Sequence, residues 1–77
     1  MDFDPYINLA NAIVASAAKD YGKVIRRLNK FPNNKEALAE KRSIERFFRS
    51  SWFEMLTNLD GEELMKQIRY NERKIAV

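Results

Sequence analysis

The sequence predicts an all-α fold, a small three-helix domain made of a long helical hairpin and a shorter third helix. Three observations predict it. Only two glycines and two prolines punctuate 77 residues, so the elements should be long. Apolar residues recur at steps of three and four, the helical spacing, rather than two. Strong break signals fall at two places only, Lys30-Phe31-Pro32-Asn33-Asn34 and Leu59-Asp60-Gly61.

The first helix is expected from about Asp4 to about Asn29. From Phe3 through Ile7, Ala10, Val14, Ala17, Tyr21 and Val24 to Leu28, apolar residues form the seam of a helix packed at a shallow angle on another. Pro5 suits the first turn, where its missing N–H is not needed, and Asp2 or Asp4 suits the positive pole of the helix dipole. Pro32 biases Phe31 away from helical geometry, and Asn33 is expected to cap a second helix, with Glu36 completing a capping box.

That second helix is expected from about residue 34 to about residue 59. At 100° per residue, Ala37, Ile44, Phe48, Trp52, Met55 and Leu59 fall within roughly an 80° sector, read here as the core face. Asp60 and Glu63 form another capping-box pattern, and the third helix should run from Gly61 to about Arg73, burying Leu64, Met65 and Ile68. Ile75, Ala76 and Val77 should fray. Residues 1–77 are thus one helical domain.

A chain this short buries only about 60–65% of its unfolded surface, so reinforcement must come from tight packing or from a partner. With no Cys and no His, disulfides and zinc sites are excluded. The Cys-free composition and the absence of a secretory pattern at MDFDPY place the chain in the cytoplasm, and no apolar run approaches a membrane span, so no membrane partner is expected. Net charge is +3, unevenly spread. Residues 19–49 carry ten bases against four acids, an excess that attracts phosphate or an acidic protein surface.

The densest segment runs from Arg42 to Glu54 and holds four of the nine aromatic rings. Within it Phe53 projects opposite the core sector, beside Lys35, Arg42, Arg46 and Arg49. An aromatic ring in a basic stripe reads as a docking feature, because Arg and aromatics are enriched in binding hot spots and also stack on bases. A packing role for Phe53 beneath the third helix is the competing reading. On the first helix Lys19, Lys23, Arg26 and Lys30 form a second basic stripe, which is either a partner surface or a solvated face. Set side by side, the two stripes would make one surface of about eight cations.

Catalysis is not expected. General acid–base chemistry would fall to Glu, Asp, Lys or Tyr, and no pair sits at a spacing that requires a shared site. Ser43, Ser50 and Ser51 have no base to activate them. Asp60, Glu62 and Glu63 are explained by capping and dipole effects rather than by a cation. No cofactor and no metal are expected.

The strings ANAIVASAAKDY, PNNKEAL and RSIERFFRSSWFEMLTNLDGEEL resemble a group of small helical proteins from temperate phages and prophages of Gram-positive bacteria. The similarity spans about residues 9–68, and the group is mostly of uncharacterised function. It transfers no functional residue. It does imply the company such products keep, namely host or phage proteins of replication, transcription or defence. The expectation is therefore a non-catalytic protein-binding module, an inhibitor or adaptor of a nucleic-acid-processing or immunity protein. Direct DNA or RNA binding through the basic faces and a structural homo-oligomer are the alternatives.

Overall fold

Pro5 opens the first helix, as its missing N–H favours. The computed structural model describes the backbone of residues 5–75 and the side chains of residues 8–73. Asp2, Phe3, Asp4, the Ile7 side chain, Ala76 and Val77, which entered the expectations above, lie outside that range. The order is α1 (Pro5–Lys30), α2 (Lys35–Phe48), α3 (Ser51–Leu56) and α4 (Gly61–Ile75), with no strand among the described residues. The all-α expectation holds, and the number of helices is four rather than three.

The predicted α1 seam is the buried one. Ala10, Val14, Tyr21 and Val24 are buried together with Ile25, and Ala17 and Leu28 are half-buried. After α1, Asn34 N–H donates to the Phe31 carbonyl at 3.1 Å and closes a turn with Pro32 at its second position. Because that turn consumes Asn33, the cap falls one residue later than expected. Asn34 takes extended backbone angles (φ −69°, ψ 107°), and its side-chain oxygen accepts from Ala37 N–H at 3.1 Å.

The expected second helix breaks in the middle. Ser50 adopts φ −83°, ψ 158°, its hydroxyl accepting from Phe53 N–H at 3.1 Å and donating to the Phe47 carbonyl at 2.6 Å. A serine hydroxyl competes with the helical ladder in just this way, ending one helix and capping the next. The new helix α3 restarts at a different angle, so the angular count carried through from Ala37 fails after Phe48. α4 begins where expected, with Asp60 Oδ1 accepting from the N–H groups of Glu62 (3.0 Å) and Glu63 (3.3 Å). The reciprocal half of a capping box is not used, since the Glu63 carboxylate accepts from Gln67 Nε2 instead.

α2 runs back along α1, α3 lies across the N-terminal half of α1, and α4 returns along α1 on its other side. Val14, Tyr21, Ile25, Phe48, Phe53 and Met65 form the core cluster. Its aromatic centre is built edge to face, with Phe48–Phe53 centroids 5.4 Å apart and Tyr21–Phe48 5.7 Å apart. Two glycines sit at close approaches. A Cβ on Gly61 would run into the Phe48 carbonyl, and one on Gly22 would lie 3.2 Å from Glu72 Oε1.

Candidate functional site

Lys19, Lys23, Arg26 and Lys30 are all exposed on the side of α1 away from its seam, and Lys35, Arg42 and Arg46 are exposed likewise on α2. Lys23 of the first stripe reaches the groove between α1 and α2, and no member of the second stripe lines it. The groove between α1 and α2 is of mixed sign, lined by Asp20, Lys23, Arg27, Glu40 and Ser43. Two members of the stripes are already engaged. Arg26 grips Glu72 of α4 through Nε (3.0 Å) and Nη2 (3.1 Å), and Arg49 donates to Glu62.

Phe53 does not stand in the exposed stripe. It is 1% exposed, packed edge-on against Phe47 and Phe48, because the break at Ser50 turns it inward. The same turn expels residues assigned to the core. Trp52, Met55 and Leu59 are 55%, 74% and 56% exposed, and only Ala37 and Phe48 of the predicted sector are fully buried, with Ile44 half-buried. The signal for this was present in the adjacent Ser50 and Ser51, a residue type that favours caps over helix interiors.

The result is an apolar end. Trp52 borders an open depression with Ala12, Ile13 and Ser16 of α1, its ring edge-on to Phe47 at 5.4 Å. Met55 and Leu59 flank Ala10 and Asn11. Leu9, 60% exposed, stands one turn from Ile13 on α1. Four of the six large apolar side chains exposed among the described residues thus lie toward this end, Trp52 at one depression and Met55 and Leu59 at another that shares no lining residue with it, the remaining two being Phe31 and Tyr70. Charge is segregated along the same axis. Residues 5–18 are uncharged, residues 51–65 hold Glu54, Asp60, Glu62 and Glu63 with no base, and every Lys and Arg lies in residues 19–49 or 66–74.

Sequence reasoning also missed a polar knot between α1, α2 and α4. The Tyr21 side chain is wholly buried, and its hydroxyl donates to Glu45 Oε2 at 2.6 Å while accepting from Arg69 Nη1 at 2.9 Å. Lys41 Nζ lies 2.9 Å, Arg69 Nη1 3.8 Å and Arg49 Nη1 3.9 Å from the same carboxylate. Burial pushes the Glu45 carboxyl up, and the hydrogen bonds from Tyr21 and Lys41 with the Lys41 and Arg49 charges outweigh it, leaving it below its ordinary value. Burial first, then the bond to Glu45, pushes the Tyr21 phenol up to about 12. Helical spacing does not show that Tyr21 and Glu45, 24 residues apart, meet.

Among the described residues no group of His, Cys, Asp and Glu is placed to hold a metal ion, and no helix is long and apolar enough to cross a membrane. The fold and surface define a small helical domain with large apolar side chains exposed toward one end. Comparison with family models, with curated proteins and with solved structures gives no match.

Proposed function

We propose that this chain is a non-catalytic, phage-type protein-binding module whose contact surface is the apolar end, not the basic stripe around Phe53. The observation that carries the reading is the exposure of Leu9, Trp52, Met55 and Leu59 toward one end of a domain whose core cluster does not include them. Exposed apolar clusters of this kind mark interaction sites, and Trp is the residue type most enriched in binding hot spots. The acids close by in sequence that have no ion-pair partner among the described residues, Glu54, Asp60 and Glu63, favour a partner whose apolar groove is bordered by Lys and Arg. Nucleic-acid-processing proteins carry such surfaces, which supports an inhibitor or adaptor acting on one of them in a host cytoplasm.

The test is affinity capture from a Gram-positive lysate treated with nuclease, comparing the native chain with Met55→Glu/Leu59→Lys and with Arg42→Glu/Arg46→Glu. The reading expects one protein held by the native chain and by the arginine variant, and lost with the Met55/Leu59 variant at unchanged helicity. Capture that survives the Met55/Leu59 change, or that fails with the arginine change alone, removes the apolar end from consideration.

A further inference from the structure

We propose that the face where α4 meets α2, with Tyr70 exposed beside it, binds single-stranded nucleic acid. Lys66, Arg69, Tyr70 and Arg73 are spaced i, i+3, i+4 and i+7, which puts them on one side of α4, and they line a shallow depression there with Gln67. Arg69 leans toward α2, where Lys41 and Arg49 also face Glu45. Three cations thus surround one carboxylate that is itself buried, and Arg49 is further bound by Glu62. Across the face and its edge five cations meet three carboxylates, Glu45, Glu62 and Glu63. The surplus is positive and points outward, since neither Lys66 nor Arg73 has an ion-pair partner among the described residues and both are exposed. The acidic start of α4, at Glu62 and Glu63, bounds the face on one side.

Tyr70 selects among polyanions. It is 62% exposed, with cations one turn before it at Lys66 and just under one turn after it at Arg73. An accessible ring beside cations that recur about every 5.4 Å along a helix suits a strand whose bases are free to stack while its phosphates are neutralised. A duplex keeps its bases stacked on each other and offers nothing to the ring. Apart from Glu62, which Arg49 holds, this surface shares no residue with the apolar end, and the variants below leave Leu9, Trp52, Met55 and Leu59 unchanged, so either assignment stands if the other falls.

The experiment is fluorescence anisotropy with a labelled oligo-dT of about 20 nucleotides, a duplex of equal length and polyglutamate as the acidic-protein surrogate. Between about 50 and about 200 mM NaCl the native chain should bind oligo-dT with a log–log slope of about −2 to −3, as expected for three or four phosphates neutralised. Lys66→Glu/Arg73→Glu should weaken binding at least about tenfold and flatten that slope, and the milder Lys66→Gln/Arg73→Gln pair should act in the same direction. Tyr70→Ala should cost about tenfold at unchanged slope. Lys19→Glu/Lys23→Glu, the same change in net charge on α1, should cost less than about threefold. The proposal is overturned by no binding at the lower salt, by equal losses from the α1 and α4 reversals, or by polyglutamate binding as tightly as oligo-dT with Tyr70→Ala silent. That last result would assign the face to an acidic protein.

Discussion

Replacing Tyr21 by Phe removes a single oxygen from the middle of the bundle and keeps the ring that packs against Phe48. That oxygen makes two hydrogen bonds to charged groups, one to the Glu45 carboxylate and one from the Arg69 guanidinium. Hydrogen bonds to charged partners contribute about 1.5–3 kcal/mol each when intact, but the two here share one oxygen, and Glu45 keeps Lys41 at 2.9 Å. A loss of about 2 kcal/mol is therefore expected. At about 4–8 °C per kcal/mol for a domain of this size, the midpoint of thermal unfolding should fall by roughly 8–16 °C. Circular dichroism melts at neutral pH measure it, and a double-mutant cycle with Glu45→Gln isolates the pairwise part, expected to exceed about 1 kcal/mol. A midpoint shift under about 2 °C, or a coupling energy within about 0.3 kcal/mol of zero, would refute the claim that this knot ties α1 to α2 and α4.

The two glycines should differ in how far they tolerate a side chain. Gly61→Ala drives a Cβ into backbone at the Phe48 carbonyl and should destabilise by about 1–3 kcal/mol in urea unfolding. Gly22→Ala sets its Cβ 3.2 Å from Glu72 Oε1, a carboxylate that Arg26 holds, so the helix-propensity gain of about 1 kcal/mol should be largely offset and stability left nearly unchanged. Ser50→Ala removes the cap of α3 and should cost about 1 kcal/mol, with Trp52 fluorescence reporting loosened α3. Stability should depend on pH at both extremes. Glu45 titrates below its ordinary 4.5 in the fold, so its contribution is present above that value and disappears as pH falls through the folded pKa. Tyr21 holds its proton to about pH 12 in the fold against 10.0 when exposed, so stability should decline as pH rises between those values. Tyrosinate absorbance should show one phenol appearing only near pH 12, and that step should be missing in Tyr21→Phe.

Where a helix's pattern ran unbroken, its buried face was legible. Ala10, Val14, Tyr21 and Val24 were identifiable from spacing alone, as were Asp60 as a cap and Met65 as core. Angular bookkeeping is exact only while the helix continues, and one serine ended it. Beyond Ser50 each residue lands on a new face, which put Phe53 inside and Trp52, Met55 and Leu59 outside. A Ser-Ser pair in a helical stretch was a readable warning, but whether such a pair caps or merely tolerates the helix is decided by tertiary contacts such as those of Phe53 with Phe47 and Phe48. The engaged cations were illegible for a related reason. Arg26 with Glu72 and Arg49 with Glu62 join helices whose relative rotation no single helical wheel contains.

The apolar end bears on what the chain binds, because the same surface would support self-association. Burying the remaining exposure of Leu9, Trp52, Met55 and Leu59 is worth roughly 1–1.5 kcal/mol each, or about 5 kcal/mol in all. A two-fold dimer would count that twice and could outweigh an association cost of several kcal/mol. A dimer of that kind would also bring Glu54, Asp60 and Glu63 of one copy toward the same three acids of the other, Glu62 being paired with Arg49, because a two-fold interface repeats one patch against itself. Like charges brought together in this way cost several kcal/mol, and salt relieves the cost by screening. A partner with a basic border gains where the dimer loses. A standard interface takes about 800 Å² per partner, roughly an eighth of this chain's 6080 Å² of surface, so the four side chains can form its centre while the acids form its rim. Sedimentation equilibrium at micromolar concentration should therefore give the mass of one chain at low salt, with self-association growing as salt is added. A dimer that is tight at low salt and loosened by salt would mean that the acids are not opposed in it, and the case for a basic-bordered partner would lose its electrostatic half.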